Sequence, residues 1–250
     1  MPIDGRLGKT RPYRSSSEMK NTRPTKRSSD VYASITLTDD DIAQEVYKQH
    51  LGGGAANWAM RGTFQFELLR HMGLAPEQTL LDVGCGPLRG GEHLIRFLDR
   101  DSYCGIDHNR DFIRAAMCIV QNDWRLYEKN PNLRTIENFD FAAVYKEFDF
   151  ILAFSVLNHC NHRLRRRFFR NAAGASKRGT RIIVTHGQWY TPLSTFMSGL
   201  QLKVRIDNAR NLPKALNPNE WGWSGSESIF PILEFAIANH VRPPVRHKPR

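Results

Sequence analysis

Apolar positions change period near residue 79 of this 250-residue chain. Before that point they recur at helical spacing. Thr38-Asp39-Asp40-Asp41 supplies a capping threonine with acids in the first turn, and Ile42, Val46 and Tyr47 follow. The pattern predicts a helix through Tyr47, broken by Gly52-Gly53-Gly54. A second helix is predicted over Trp58–Met72, with Phe64, Leu68 and Leu69 on one face and Gly73 as its stop. Beyond residue 79, short apolar runs alternate with amphipathic ones. Strands are predicted at Thr79–Val83, Ser102–Ile106, Leu133–Ile136, Phe148–Phe154 and Arg181–Thr185. Helices fall between them, through His93, Ile95 and Phe97, over Asp111–Trp124 and over Arg163–Ala173. After Gln188 the pattern thins. Leu202–Ile206 and Ile229–Ile237 read as two further strands around a loop at Asn208–Trp223. Pro231 cannot donate to a ladder, so it delays that last strand or puts it at an edge. Such alternation predicts an α/β fold: a doubly wound, mostly parallel seven-stranded sheet with helices on both faces.

Composition changes this picture only at the ends. Residues 1–34 are rich in Ser, Arg, Lys and Pro and poor in aliphatics, and are expected to form a disordered basic arm. Residues 35–240 are expected to be one domain: N-terminal helices over 35–75, a ligand-binding core over 76–190, and C-terminal strands and loops over 191–240. Residues 241–250 form a basic tail. The net charge of +11 is concentrated in these tails. Residues 1–29 carry eight basic and two acidic residues, and residues 241–250 carry four basic residues and no acid, leaving the body near +1. A basic body would point to nucleic acid. A basic arm on a near-neutral body can bind RNA, acidic lipid or an anionic partner, but reads first as a solvated, disordered tail. No run approaches the ~18 apolar residues of a membrane span, and the N-terminus has no secretory apolar core. The four cysteines have no paired close spacing, which argues against a zinc site and for a reducing, cytoplasmic setting. The oligomeric state is left open.

The chemistry begins at Leu80-Leu81-Asp82-Val83-Gly84-Cys85-Gly86-Pro87-Leu88-Arg89-Gly90-Gly91. An apolar strand runs into an acid and a glycine turn, which lets backbone approach a ligand that side chains would block. Asp107 ends the next strand, 21 residues after Gly86, where a carboxylate is placed to accept from ribose hydroxyls. A dinucleotide site wants a third glycine under the pyrophosphate. Leu88 stands there instead, which favours a cofactor with a smaller group at that point.

With Gly105-Ile106-Asp107 and Phe148-Asp149-Phe150-Ile151-Leu152-Ala153-Phe154-Ser155-Val156-Leu157-Asn158-His159, these residues resemble the class I S-adenosylmethionine-dependent methyltransferases. Trp58–Leu69, Gly73-Leu74-Ala75-Pro76 and Pro87–Gly91 look like a bacterial subgroup acting on sugars and other small molecules. The resemblance implies a Rossmann-like methyltransferase fold with an N-terminal helical lid, S-adenosylmethionine as methyl donor and S-adenosylhomocysteine as product. It implies that Asp82 reaches the methionyl amino group, and that Gly84, Cys85 and Gly86 lie under the methionyl and ribose portions. Asp107 would take the ribose hydroxyls, and His108 would flank the adenine. Asn138, Phe139 and Asp140 would sit at the adenine edge, and Phe154 and Ser155 would face the methionyl group. Arg89 would neutralise the methionyl carboxylate, and Trp58 would pack on the cofactor.

Methyl transfer from a sulfonium is an in-line displacement that needs the nucleophile about 3 Å from the methyl carbon. A hydroxyl acceptor also benefits from a general base, worth about 100- to 10,000-fold. His159, just past the fourth strand, is the first candidate, and His186, after the fifth, the second. Tyr47, His50, Trp58 and Gln65 are expected to wall the acceptor pocket, with an aromatic rim from Trp189, Tyr190, Trp221 and Trp223. Arg163, Arg165, Arg166, Arg167 and Arg170 read as a solvated helix face, with Leu164, Phe168 and Ala172 toward the sheet. The expected acceptor is a small molecule, methylated at a hydroxyl. An RNA or protein methyltransferase docking through the basic arm, and a non-catalytic cofactor-binding scaffold, rank behind it.

Overall fold

The computed structural model describes residues 34–185 apart from Gly53 and Tyr145, together with residues 200–206, 216 and 232–237. The basic arm, the C-terminal tail, His186, the rim aromatics Trp189, Tyr190, Trp221 and Trp223 and most of the loop at 208–223 lie outside the described residues.

Seven strands form one sheet in the order β3-β2-β1-β4-β5-β7-β6. They are β1 (Leu80–Val83), β2 (Tyr103–Asp107), β3 (Asn132–Thr135), β4 (Phe148–Ala153), β5 (Ser176–Thr185), β6 (Leu200–Ile206) and β7 (Ile232–Ile237). β1 to β5 pair in parallel, while β7 runs antiparallel to both β5 and β6. Every residue of β1 and β2 is buried. Two apolar clusters cover the two faces of the sheet. One holds Phe64, Leu68, Leu88, Leu94 and Phe150, the other Leu81, Ile151, Phe168, Phe169 and Phe235. Full burial of each such side chain contributes roughly 1.5–3 kcal/mol. The chain reverses its direction of winding between β1 and β4, and the carboxyl ends of those strands open the crevice where such sheets bind ligands.

The helices are α1 (Asp39–Ala43), α2 (Tyr47–Gly52), α3 (Ala55–His71), α4 (Gly91–Phe97), α5 (Arg110–Asn122), α6 (Trp124–Tyr127) and α7 (His162–Gly174). Two expected helices are each divided. The first stops after Ala43, because Glu45 turns left-handed (φ 54°), the Glu45 N–H donates to Ile42 O and the Val46 N–H to Asp41 O. That pairing closes a helix end, here with Glu45 where glycine is usual. The second stops at Asn122. Asp123 is extended, and its carboxylate accepts from the Arg125 N–H (2.9 Å) to start α6. β5 begins five residues earlier than its apolar run, through an irregular pairing of Ser176 with Phe148. Pro231 does precede the last strand, which starts at Ile232. On α7, Phe168, Phe169 and Ala172 are the buried side chains, while Arg163, Arg166 and Arg170 are exposed. Among the described residues no helix is long and apolar enough to cross a membrane.

Candidate active site

The loop after β1 is shaped by close approaches. Gly84 has φ 74°, and a Cβ there would strike Val156 Cγ2 at 2.4 Å, so this position must be glycine. Leu88 adopts φ 60° without being glycine. The left-handed backbone costs roughly 1–2 kcal/mol, offset by a side chain buried completely in the core. Room for it comes from Gly91, whose Cβ would meet Leu88 Cδ2 at 2.6 Å. The requirement for a small residue has moved three positions along the loop. From the other side, Gly62 of α3 lets the helix rest on the loop, since a Cβ there would lie 2.2 Å from Arg89 O.

Asp107 at the end of β2 joins this loop to the next. Its Oδ2 accepts from the Gly86 N–H (3.0 Å) and its Oδ1 from the Asn109 N–H (2.8 Å). His108 Nδ1 lies 3.3 Å from Oδ1, and hydrogen bonding to Asp107 raises the imidazole above its usual range. Asp82 is buried and accepts from the Tyr103 hydroxyl (2.7 Å). Burial pushes its carboxyl up to about 6, against the opposing pull of the Tyr103 bond. Burial also pushes the Cys85 thiol far up, so it is a packing group rather than a nucleophile.

These groups open onto a cavity of about 750 Å³ at the carboxyl edge of the sheet. Thirteen of the sequence-predicted residues line it: Trp58, Asp82, Gly84, Cys85, Gly86, Arg89, Asp107, His108, Asn138, Phe139, Phe154, Ser155 and His159. Gln65 also lines it, whereas Tyr47 and His50 do not. Two expectations change, those for Asp140 and Leu164, and Arg89, which lines the cavity, has a further role. Asp140 is not in the wall: Asn138 and Phe139 are both left-handed (φ 54° and 57°), which turns Asp140 away to start the short turn Phe141–Val144, and Glu137 lines the cavity instead. Arg89 donates from Nη1 to Leu51 O (3.0 Å), with its guanidinium 5.9 Å from the centre of the Trp58 ring, so it ties α2 to the loop. Leu164, expected to face the sheet, lines the cavity instead, because it sits in the first turn of α7 beside the crevice. His186 lies outside the described residues.

The far wall is made by the segment after β4. Ser155 is left-handed (φ 58°), and its N–H donates to Thr185 Oγ1 (2.6 Å). Asn158, His159 and Cys160 follow in the wall. His159 is partly buried, and the loss of water lowers its imidazole below the usual range. The Asn158 Oδ1 is buried with no hydrogen-bond partner among the described residues. Sequence reasoning missed Leu51, Arg61 and Asn158. Gly62 was a signal for part of this wall, because a glycine inside a helical pattern marks close approach.

Residues 81–182 match the sequence family described as a methyltransferase domain. That segment is similar to a methyltransferase domain. It spans β1 to β5 and contributes most of the cavity wall. Solved structures agree on the fold. The chain superposes on magnesium protoporphyrin IX methyltransferase from Synechocystis PCC 6803 with a TM-score of 0.56, at 15% identity over 87% of this chain and 100% of that one. A TehB-like SAM-dependent methyltransferase from Corynebacterium glutamicum gives 0.52, at 18% identity over 79% and 97%. The glycopeptide N-methyltransferase MtfA gives 0.54, at 10% identity over 70% and 93%. No curated protein matches the chain. The described residues therefore have the Rossmann-like methyltransferase fold.

Proposed function

We propose that the cavity binds S-adenosylmethionine and that the enzyme moves its methyl group to a hydroxyl of a small-molecule acceptor, a sugar or similar metabolite. The donor side fits the cofactor by its own chemistry. The loop at Gly84–Gly86 presents backbone without side chains, Asp107 offers a carboxylate at the ribose position, and Asp82 is a buried acid suited to an ammonium group. When bound, the sulfonium supplies an activated methyl group. The protein then orients the acceptor, excludes water and takes one proton.

One observation carries the acceptor reading: Asn158 and His159 stand side by side in the wall beyond β4. Leaving the Asn158 oxygen without a partner costs roughly 1–3 kcal/mol, a cost relieved by an acceptor that donates a hydrogen bond. A sugar does so through a second hydroxyl beside the reacting one, and a carboxylate does not. His159, kept neutral by partial desolvation, accepts the hydroxyl proton at an imidazole nitrogen as the oxygen attacks. A cavity of about 750 Å³ falls in the range of sites that hold small molecules. The test is a panel of sugars, phenols, amines and carboxylic acids, read out by S-adenosylhomocysteine release. The reading expects turnover of hydroxyl compounds that falls with His159→Ala. Turnover confined to carboxylic acids, or unchanged by that substitution, overturns it.

A further inference from the structure

We propose that Asn109 is a positioning residue for the cofactor site, the joint through which residues 35–39 hold the Asp107 carboxylate in place. This rests on the reading of Asp107 as the ribose-binding acid. Asn109 is buried, and its side chain works in two directions. Its Oδ1 accepts from the N–H groups of Asp111 (2.8 Å) and Phe112 (3.3 Å), capping α5. Its Nδ2 donates to Ile35 O (2.8 Å). Its own backbone N–H is one of the two that fix Asp107. The same first turns of α5 grip the N-terminal segment again. The Leu37 N–H donates to Asp111 Oδ2 (2.9 Å), Arg114 Nη1 donates to Leu37 O (3.2 Å), and Arg114 pairs with Asp39. Leu37 packs in one cluster with Trp58 and Phe112, both of which line the cavity.

The choice of residue is informative. Serine caps a helix about as well as asparagine, but it has no amide donor to reach a second carbonyl. A residue needed only as a cap does not have to be asparagine. Here one amide fixes the cap and the strap together, and so fixes the N–H that orients Asp107.

The experiment titrates S-adenosylhomocysteine into the full chain by calorimetry, with a melting curve for each variant. Asn109→Ser retains the cap and loses the strap bond. It should weaken binding about tenfold with a melting temperature near that of the parent, the scale of one well-placed hydrogen bond. Arg114→Ala loosens the strap without touching Asn109 and should weaken binding about threefold. The readout that separates positioning from general structure is the background of Asp107→Ala. There Asn109→Ser should change affinity by less than about twofold, because its effect runs through a carboxylate no longer present. Full additivity with Asp107→Ala overturns the proposal. So does a lowered melting temperature with unchanged affinity in Asn109→Ser. Absence of any binding by the parent chain overturns the cofactor reading itself.

Discussion

The two walls of the cavity are built differently. On the β1–β2 side, the acids are already paired within the protein: Asp107 with two backbone N–H groups and Asp82 with the Tyr103 hydroxyl of the neighbouring strand, while Gly62 lets α3 rest on the loop. On the β4–β5 side, the wall ends in side chains. Ser155 is twisted left-handed, the Asn158 oxygen has no partner among the described residues, and His159 stands partly in solvent. The difference separates a site finished before its ligand arrives from one completed by its ligand. A preformed donor side binds one cofactor in one pose. An acceptor side with open hydrogen-bonding capacity selects its substrate by supplying what that substrate lacks.

The largest expected effect is on the open side. His159→Ala should lower kcat about 100- to 10,000-fold while the affinity for S-adenosylmethionine stays within about twofold. Loss of both together would erase the division between the walls. Next, Asp107→Ala should weaken cofactor affinity about 100-fold, since hydrogen bonds to a charged group are worth roughly 1.5–3 kcal/mol. Its effect on kcat at saturating cofactor should be small. Gly62→Ala should cost about 1–3 kcal/mol in denaturant unfolding, because the added methyl drives α3 off the Arg89 carbonyl.

Acidity tests the same contrast. The Asp82 carboxyl titrates near 6 in the folded chain and near 3.8 when unfolded. Between those values the folded state holds a proton that the unfolded state has lost, so this group's contribution to stability falls as pH rises through the window. The total is about 3 kcal/mol at 1.36 kcal/mol per unit. An ammonium ligand needs the ionised carboxylate, so cofactor affinity should drop by up to about tenfold per pH unit below 6, and Asp82→Asn should flatten the curve. His159 gives a separate limb. Its lowered value puts the fall in kcat below the 6.5 of an ordinary imidazole, and this limb persists in Asp82→Asn. The smallest effect belongs to Asn158→Leu. Removing the unpaired oxygen should leave stability equal or higher by about 1 kcal/mol while raising the acceptor KM.

How much of this was legible follows the same division. The strand–helix alternation marked all seven strands, with edges shifted by up to five residues, and β1, β2 and β4 stood out because buried parallel strands are near-continuous apolar runs. The glycine turn and Asp107 were legible because backbone approach and a ribose contact each demand a residue type at a fixed place. Leu88 was harder. A missing glycine was visible, but not that Gly91 makes room for it, since that depends on where the leucine side chain packs. Asn138 and Phe139 carried no sign of their left-handed turn, so Asp140 was placed one step too far into the wall. Asn109 was not singled out in the sequence. Its reach to Ile35, 74 residues away, is set by tertiary packing alone. Leu51 likewise meets its partner Arg89 only across 38 residues of sequence.

The central claim is that the finished wall is a cofactor site whose key is Asp107. Calorimetric titration of S-adenosylmethionine into the full chain and into Asp107→Ala tests it most directly. The account predicts one-to-one binding by the parent chain, weakened about 100-fold by the substitution. Absence of binding by the parent at millimolar cofactor, or equal affinity in the two proteins, would contradict it.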